Sequence, residues 1–226
     1  MGSTIISGSC ACGDQDITDR EVAVGPLRLP GNLHVPVAAG ALVVFAHGSG
    51  SSRLSPRNRA VAEALNGQGM ATLLFDLLSP DEERDRANVF DIPLLAERLA
   101  DAVRWIDRQP ELVRLPLGLF GASTGAAAAL VAAAHLGTRV GAVVSRGGRP
   151  DLANAALDIV AAPTLLIVGG LDDVVIELNE KALARLKAAK ALQIVPGASH
   201  LFPEPGALDT VISLAAQWFK THLVAH

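Results

Sequence analysis

Short apolar runs alternate with segments of helical periodicity along nearly the whole chain, and this alternation constrains the fold more than any other feature. Runs rich in Val, Leu, Ile and Ala occupy 41–48 (ALVVFAHG), 70–78, 115–121, 139–148, 162–170 and 191–197. Continuous apolar stretches of this length, several ending in glycine, read as strands covered on both faces. Between them 55–69, 92–109, 123–137, 151–157, 175–190 and 206–223 read as helices. Ser55 is placed as an N-cap with Pro56 at the first helical position. The alternation predicts an α/β fold, a mostly parallel sheet with helices on both faces. Ahead of it, 20–37 reads as an antiparallel hairpin turning at Pro30-Gly31-Asn32. Residues 1–19 are expected to form a flexible leader and 20–226 a single domain.

Charge and composition exclude several classes. A net charge of −4 with scattered basic residues argues against nucleic acid as partner. Gly, Pro or charge interrupts every apolar run before it could cross a membrane. MGSTIISGSCACGDQD has neither a basic start nor a sustained apolar stretch, so no signal peptide is expected and the location is read as cytoplasmic. Cys10 and Cys12 stand too close for an unstrained disulfide and lack further ligands, so they read as reduced thiols. No metal or cofactor is expected. The anticipated partner is a small molecule, and the chain a monomer or homodimer.

In such sheets ligands bind beyond the carboxyl ends of the strands. One strand end carries Gly121-Ala122-Ser123-Thr124-Gly125, a G-x-S-x-G pattern where strand becomes helix. That is the context of a nucleophile elbow, a strained turn flanked by small residues that lifts a serine Oγ above the sheet edge. The alanines that follow let the helix lie close to the sheet. A serine hydroxyl needs a base. His200 follows a strand in VPGASH, whereas His34, His135, His222 and His226 read as surface or packing histidines. The base needs a carboxylate to orient it. Asp172 and Asp173 follow another strand; Asp172 is taken as the orienter and Asp173 as a helix cap.

The order Ser123, Asp172, His200 is that of the α/β-hydrolase fold. With VVFAHGSGSSRLSPRN, LLFDLLSPDEE, GLFGASTGAAAAL, VVSRGGRPDLA, LLIVGGLDDVV and VPGASHLF, the chain resembles the dienelactone-hydrolase-like branch of that superfamily over about residues 20–223. The resemblance implies a serine hydrolase of small soluble esters or lactones, working through an acyl-enzyme. It places one oxyanion-hole donor on the loop at Ser49, the other being the backbone N–H of Thr124. His47 is read as holding that loop. True dienelactone hydrolases carry a cysteine where this chain has Ser123, which turns expectation away from dienelactone itself. Many relatives insert a lid after the sixth strand; GGRPDLANAALDI at 147–159 leaves no room for one.

Rival readings remain. A dinucleotide fingerprint at Gly48-x-Gly50 fails because Arg53 stands in the third glycine position, with Asp76 the nearest acid for a ribose. A non-catalytic binding module on the same fold is the second; thioesterase or amidase activity on the same triad is the third. Arginines near the strand ends read first as solvated loop charges or partners of Asp81, Glu82, Glu83, Asp85 and Asp151, and second as anchors for substrates bearing a carboxylate, with Arg146 as first anchor and Arg53 as second.

Overall fold

A computed structural model describes residues 18–224. The cysteines at 10 and 12, His226 and nearly all of the proposed leader lie outside the described residues. The chain builds an eight-stranded sheet in the order β1-β2-β4-β3-β5-β6-β7-β8. The strands are β1 (Thr18–Val24), β2 (Leu29–Val35), β3 (Ala41–Ala46), β4 (Met70–Phe75), β5 (Leu117–Ala122), β6 (Val140–Arg146), β7 (Thr164–Gly169) and β8 (Lys190–Val195). β1 pairs antiparallel with β2, and β2 antiparallel with β4; every pairing from β4 through β8 is parallel. This is the α/β-hydrolase architecture.

The helices are α1 (Pro56–Asn66), α2 (Pro80–Glu83), α3 (Arg86–Val89), α4 (Ile92–Ile106), α5 (Thr124–Leu136), α6 (Asp173–Arg185) and α7 (Ala207–Leu223). They divide the core in two. α4, α5 and α6 bury Leu95, Leu99, Val103, Leu130 and Ala182 on one face of the sheet. α1 and α7 bury Val61, Leu65, Val211 and Phe219 on the other. With both faces covered, the central strands carry no polar side to alternate with, which is why they read as unbroken apolar runs. α4 has the opposite signature: Leu95, Leu99, Val103 and Ile106 form one apolar stripe, started by an Asp91 cap on the Leu94 N–H at 2.9 Å.

Three expectations change. The hairpin turns at Gly25–Arg28, where the Arg28 N–H reaches the Gly25 carbonyl at 3.2 Å. Pro30-Gly31-Asn32 lies inside β2, where a Cβ on Gly31 would press on Val22, Val24 and Phe75 at 3.0–3.2 Å. Gly31 is there for close approach between strands, not for a turn. The strand β1 begins at Thr18, inside the segment expected to be leader. The expected helix at 151–157 is a 3-10 run, Pro150–Asp158, kinked at Asn154.

α5 holds the molecule together from the centre. Gly125 sits so near the end of β3 that a Cβ would strike the carbonyl oxygens of Ala46 and His47, the latter at 2.5 Å. Those oxygens are backbone and cannot swing away. Gly125→Ala should lower stability by about 3 kcal/mol or more, read as a fall in the urea midpoint at constant slope. An unchanged midpoint would mean that α5 slides freely on the sheet.

Candidate active site

Ser123 links β5 to α5 with φ 52 and ψ −122, a conformation that non-glycine residues seldom adopt. Its neighbours lock it there. The Ser123 N–H donates to the Arg146 carbonyl at 3.2 Å, and the Ser123 carbonyl accepts from the Arg149 N–H at 3.1 Å. Although Ser123 occupies the N-cap position of α5, its hydroxyl caps nothing. Oγ therefore stands free at the positive end of a buried helix dipole.

His200 and Asp172 arrive on neighbouring strands. The acid loop after β7 and the histidine loop after β8 are tied by the Leu171 N–H donating to the Ala198 carbonyl at 2.9 Å. Asp172 is the N-cap residue of α6 yet makes no capping bond. Its carboxylate instead accepts from His200 Nδ1 at 2.6 Å. Asp173, expected to cap, is the first residue of α6. Gly147 lies under the ring: a Cβ there would be 3.7 Å from His200 Cε1. Since the Arg146 carbonyl receives the Ser123 N–H, imidazole and serine flank the same strand end. Among the described residues Ser123 Oγ makes no hydrogen bond to His200; such contacts are often long until substrate is seated.

The loop after β3 meets the elbow closely. A Cβ on Gly48 would be 3.0 Å from Ser123 Cβ. Ser49 differs from expectation: its N–H, an anticipated oxyanion donor, is given to Thr124 Oγ1 at 3.0 Å. That amide serves an oxyanion only if the Thr124 hydroxyl turns aside. His47 locks the loop in a defined tautomer. Its Nε2 accepts the Leu77 N–H at 3.1 Å, so the ring proton is on Nδ1, directed at the Gly48 carbonyl at 3.0 Å. Burial lowers its pKa, only partly offset by the bond to Gly48, and the ring stays neutral.

The two arginines are not placed as expected. Arg53 is committed within the fold: its backbone N–H and Nη1 bind the two oxygens of Asp76, each at 2.7 Å, and Nε binds Asn32 at 3.1 Å. Asp76 is thereby a loop clamp. Arg146 is 7% exposed and runs beneath the site, not over it, donating to Asn58 of α1 at 3.3 Å. Burial, and then the nearby Arg57, pull its pKa to about 10, so it remains charged at neutral pH. The other wall of the site comes from residues that the sequence did not flag. Leu77, Leu78, Glu83, Val89 and Leu95 line a cleft of about 360 Å3 beside Gly48 and Ser49. The available signal was Ser79-Pro80-Asp81-Glu82, a capping box that starts α2. Among the described residues no cluster of His, Cys, Asp and Glu suits a metal, and no helix is long and apolar enough to cross a membrane.

Residues 34–222 match the model of the Dienelactone hydrolase family. The crystal structure of a dienelactone hydrolase from Anabaena variabilis is 56% identical in sequence, with a TM-score of 0.87 over 92% of this chain and 98% of that one. A Mycobacterium tuberculosis protein named "Putative phosphoribosyl transferase" is 60% identical over 215 residues, 94% of this chain and 48% of that protein. The chain spans about half the length of the curated relatives it matches. The fold is also that of P91, a dienelactone hydrolase-like promiscuous phosphotriesterase from metagenomic libraries, at 18% identity and TM-score 0.74 over 92% of this chain and 99% of that one.

Two outcomes test this geometry. Among the described residues Asp172 is the carboxylate that meets His200, so Asp172→Asn should cut kcat/KM for a short ester by more than about a hundred-fold and Asp173→Asn by far less. The reverse ranking would overturn the assignment. His47 concerns stability. Its folded pKa lies below its unfolded value, so the unfolded chain binds the extra proton first on acidification. Its stabilising contribution is complete above about pH 6.5 and is lost as pH falls from there toward the folded value. Urea unfolding from about pH 5 to 8 should show that His47→Gln flattens this part of the profile.

Proposed function

The chain belongs to the dienelactone hydrolase family, and from that premise we propose that it is a serine hydrolase of small esters or lactones. One observation carries the reading: the Asp172–His200 contact at 2.6 Å beside a serine held uncapped at φ 52. Ser123 Oγ attacks the acyl carbon as His200 Nε2 takes its proton. Asp172 fixes the Nδ1–H tautomer and stabilises the imidazolium. The oxyanion is met by the Thr124 N–H and by the Ser49 N–H once Thr124 Oγ1 releases it. Collapse of the tetrahedral adduct expels the alkoxide, which takes the proton from His200. Water then repeats the cycle on the acyl-enzyme and restores Ser123. Thioesters and amides would follow the same steps with a different leaving group. We place phosphoribosyl transfer, the activity in the name of the mycobacterial relatives, in the half of those proteins outside the match.

A fluorophosphonate probe should label the wild-type protein and not Ser123→Ala. The mutant should lose several orders of magnitude of activity on a p-nitrophenyl ester while keeping its circular dichroism spectrum and urea midpoint. A variant retaining more than about a tenth of the activity would remove Ser123 from the mechanism. An unlabelled, inactive wild type would favour a binding module on the same fold.

A further inference from the structure

The cleft beside the nucleophile has a definite chemistry. Gly48, which leans on Ser123, forms its inner end, and Leu77, Leu78, Val89 and Leu95 give it an apolar floor. A second hollow of about 430 Å3, lined by Ser49, Gly50, Glu83, Arg86, Val89 and Phe90, continues it outward. Ser49, Gly50, Glu83 and Val89 line both, so the two form one groove, and Gly48 joins its inner part to Ser123.

Charge is one-sided in the inner cleft. Glu83 is the one charged side chain lining the inner cleft, since His47 there is neutral. Arg86 enters only the outer hollow, with its guanidinium 5.7 Å from the centre of the Phe90 ring. Arg53 and Arg146, the cations that suggested a carboxylate anchor, line neither part. A carboxylate pushed into the inner cleft would lose water and meet Glu83, with no arginine or lysine among the residues that line it. An alkyl chain would find Val89 with the nearly buried Leu78 and Leu95 behind it, and an ammonium would find an opposite charge.

Resting on the hydrolase reading above, we propose that this groove is the acyl pocket, that it takes uncharged or cationic acyl chains of butyryl to hexanoyl size, and that Glu83 selects against acyl groups ending in a carboxylate. The inner cleft, about 360 Å3, agrees with a modest acyl chain, at the low end of the roughly 300–1,000 Å3 of ligand pockets. The selection is by repulsion as much as by fit.

The test compares kcat/KM for p-nitrophenyl acetate, butyrate and hexanoate, the hemiglutarate, and the 4-(trimethylammonio)butyrate ester. Wild type should prefer butyrate to acetate, and both neutral and cationic chains to the hemiglutarate by about ten-fold or more. Glu83→Gln should shrink the cationic-to-anionic ratio about five- to ten-fold, more at low salt than at high. Glu83→Lys should reverse that ratio, while Glu180→Gln, the same charge change on the exposed side of α6, should leave it alone. Val89→Trp should lower the butyrate-to-acetate ratio at least about ten-fold by filling the groove. A wild-type preference for the hemiglutarate, a Glu83→Gln ratio within two-fold of wild type, or an unaltered chain-length profile in Val89→Trp would each overturn the pocket. Labelling by fluorophosphonate in the same samples separates the cases. A labelled enzyme with unchanged ratios loses the pocket and keeps the hydrolase; an unlabelled, inactive one loses both.

Discussion

The near-contact between the first turn of α5 and the ends of β3 and β5 is the constraint on which the site depends. Gly121 lies against the backbone of Gly125 and Ala126, and Gly125 lies against the carbonyls of Ala46 and His47. No side chain fits between them. The helix must therefore start at once, and the chain reaches it through a residue at positive φ. Holding Ser123 there costs on the order of 1–3 kcal/mol. Burial of α5 from Thr124 through Leu130 offsets it, and the alanines let that burial happen at short range. The Ala-rich helix buries little area per residue; its value is the distance that it permits.

From this centre the loops are fastened to one another by single, well-defined bonds. The Ser123 amide holds the end of β6, the Leu171 amide joins the acid loop to the histidine loop, and the Leu77 amide joins the end of β4 to His47. Arg53 and Asp76 add a second tie between the loop after β3 and the end of β4. Both side chains of that pair are mostly buried, and Arg53 engages Asp76 through backbone and guanidinium together, which fixes geometry more than it adds net stability. These bonds fix the loops around Ser123, and the Ser49 N–H to Thr124 Oγ1 bond is the one that an oxyanion would have to displace.

How far the sequence revealed this follows the same physics. The parallel strands were legible because burial on both faces leaves a continuous apolar run, and the elbow because a strained strand-to-helix turn demands small residues at fixed spacing. The same double burial hid the direction of Arg146. With no polar alternation in β6, nothing in VGAVVSR says which face position 146 takes; the register with Ala122 and Ile167 puts it on the α1 side. Pro30-Gly31-Asn32 misled because turn-forming residues also suit a crowded strand, and the true turn at Gly25–Arg28 uses an arginine at φ 53 that no propensity favours. The bond of the Ser49 amide was hidden because its partner is a side chain 75 positions away, visible only once the fold brings them together.

The cleft wall shows why such a fold accepts many substrates. α2 and α3 are four residues each, too short to stand on their own propensity. They are held by Glu82, whose carboxylate accepts from the Ser79 N–H at 2.8 Å and from Arg98 of α4 at 2.7 Å, and whose carbonyl accepts from Asn88 at 3.0 Å. Glu83 is the next residue, so the charge facing the cleft is aimed by a neighbour that never touches it. None of these bonds involves β5, α5 or the loops of Asp172 and His200. The wall can change its residues and leave the elbow undisturbed, and the elbow can keep its strained geometry whatever the wall selects. The elbow and the cleft wall thus rest on separate supports, and shared fold alone, as with P91 at 18% identity, carries no information about what this groove accepts.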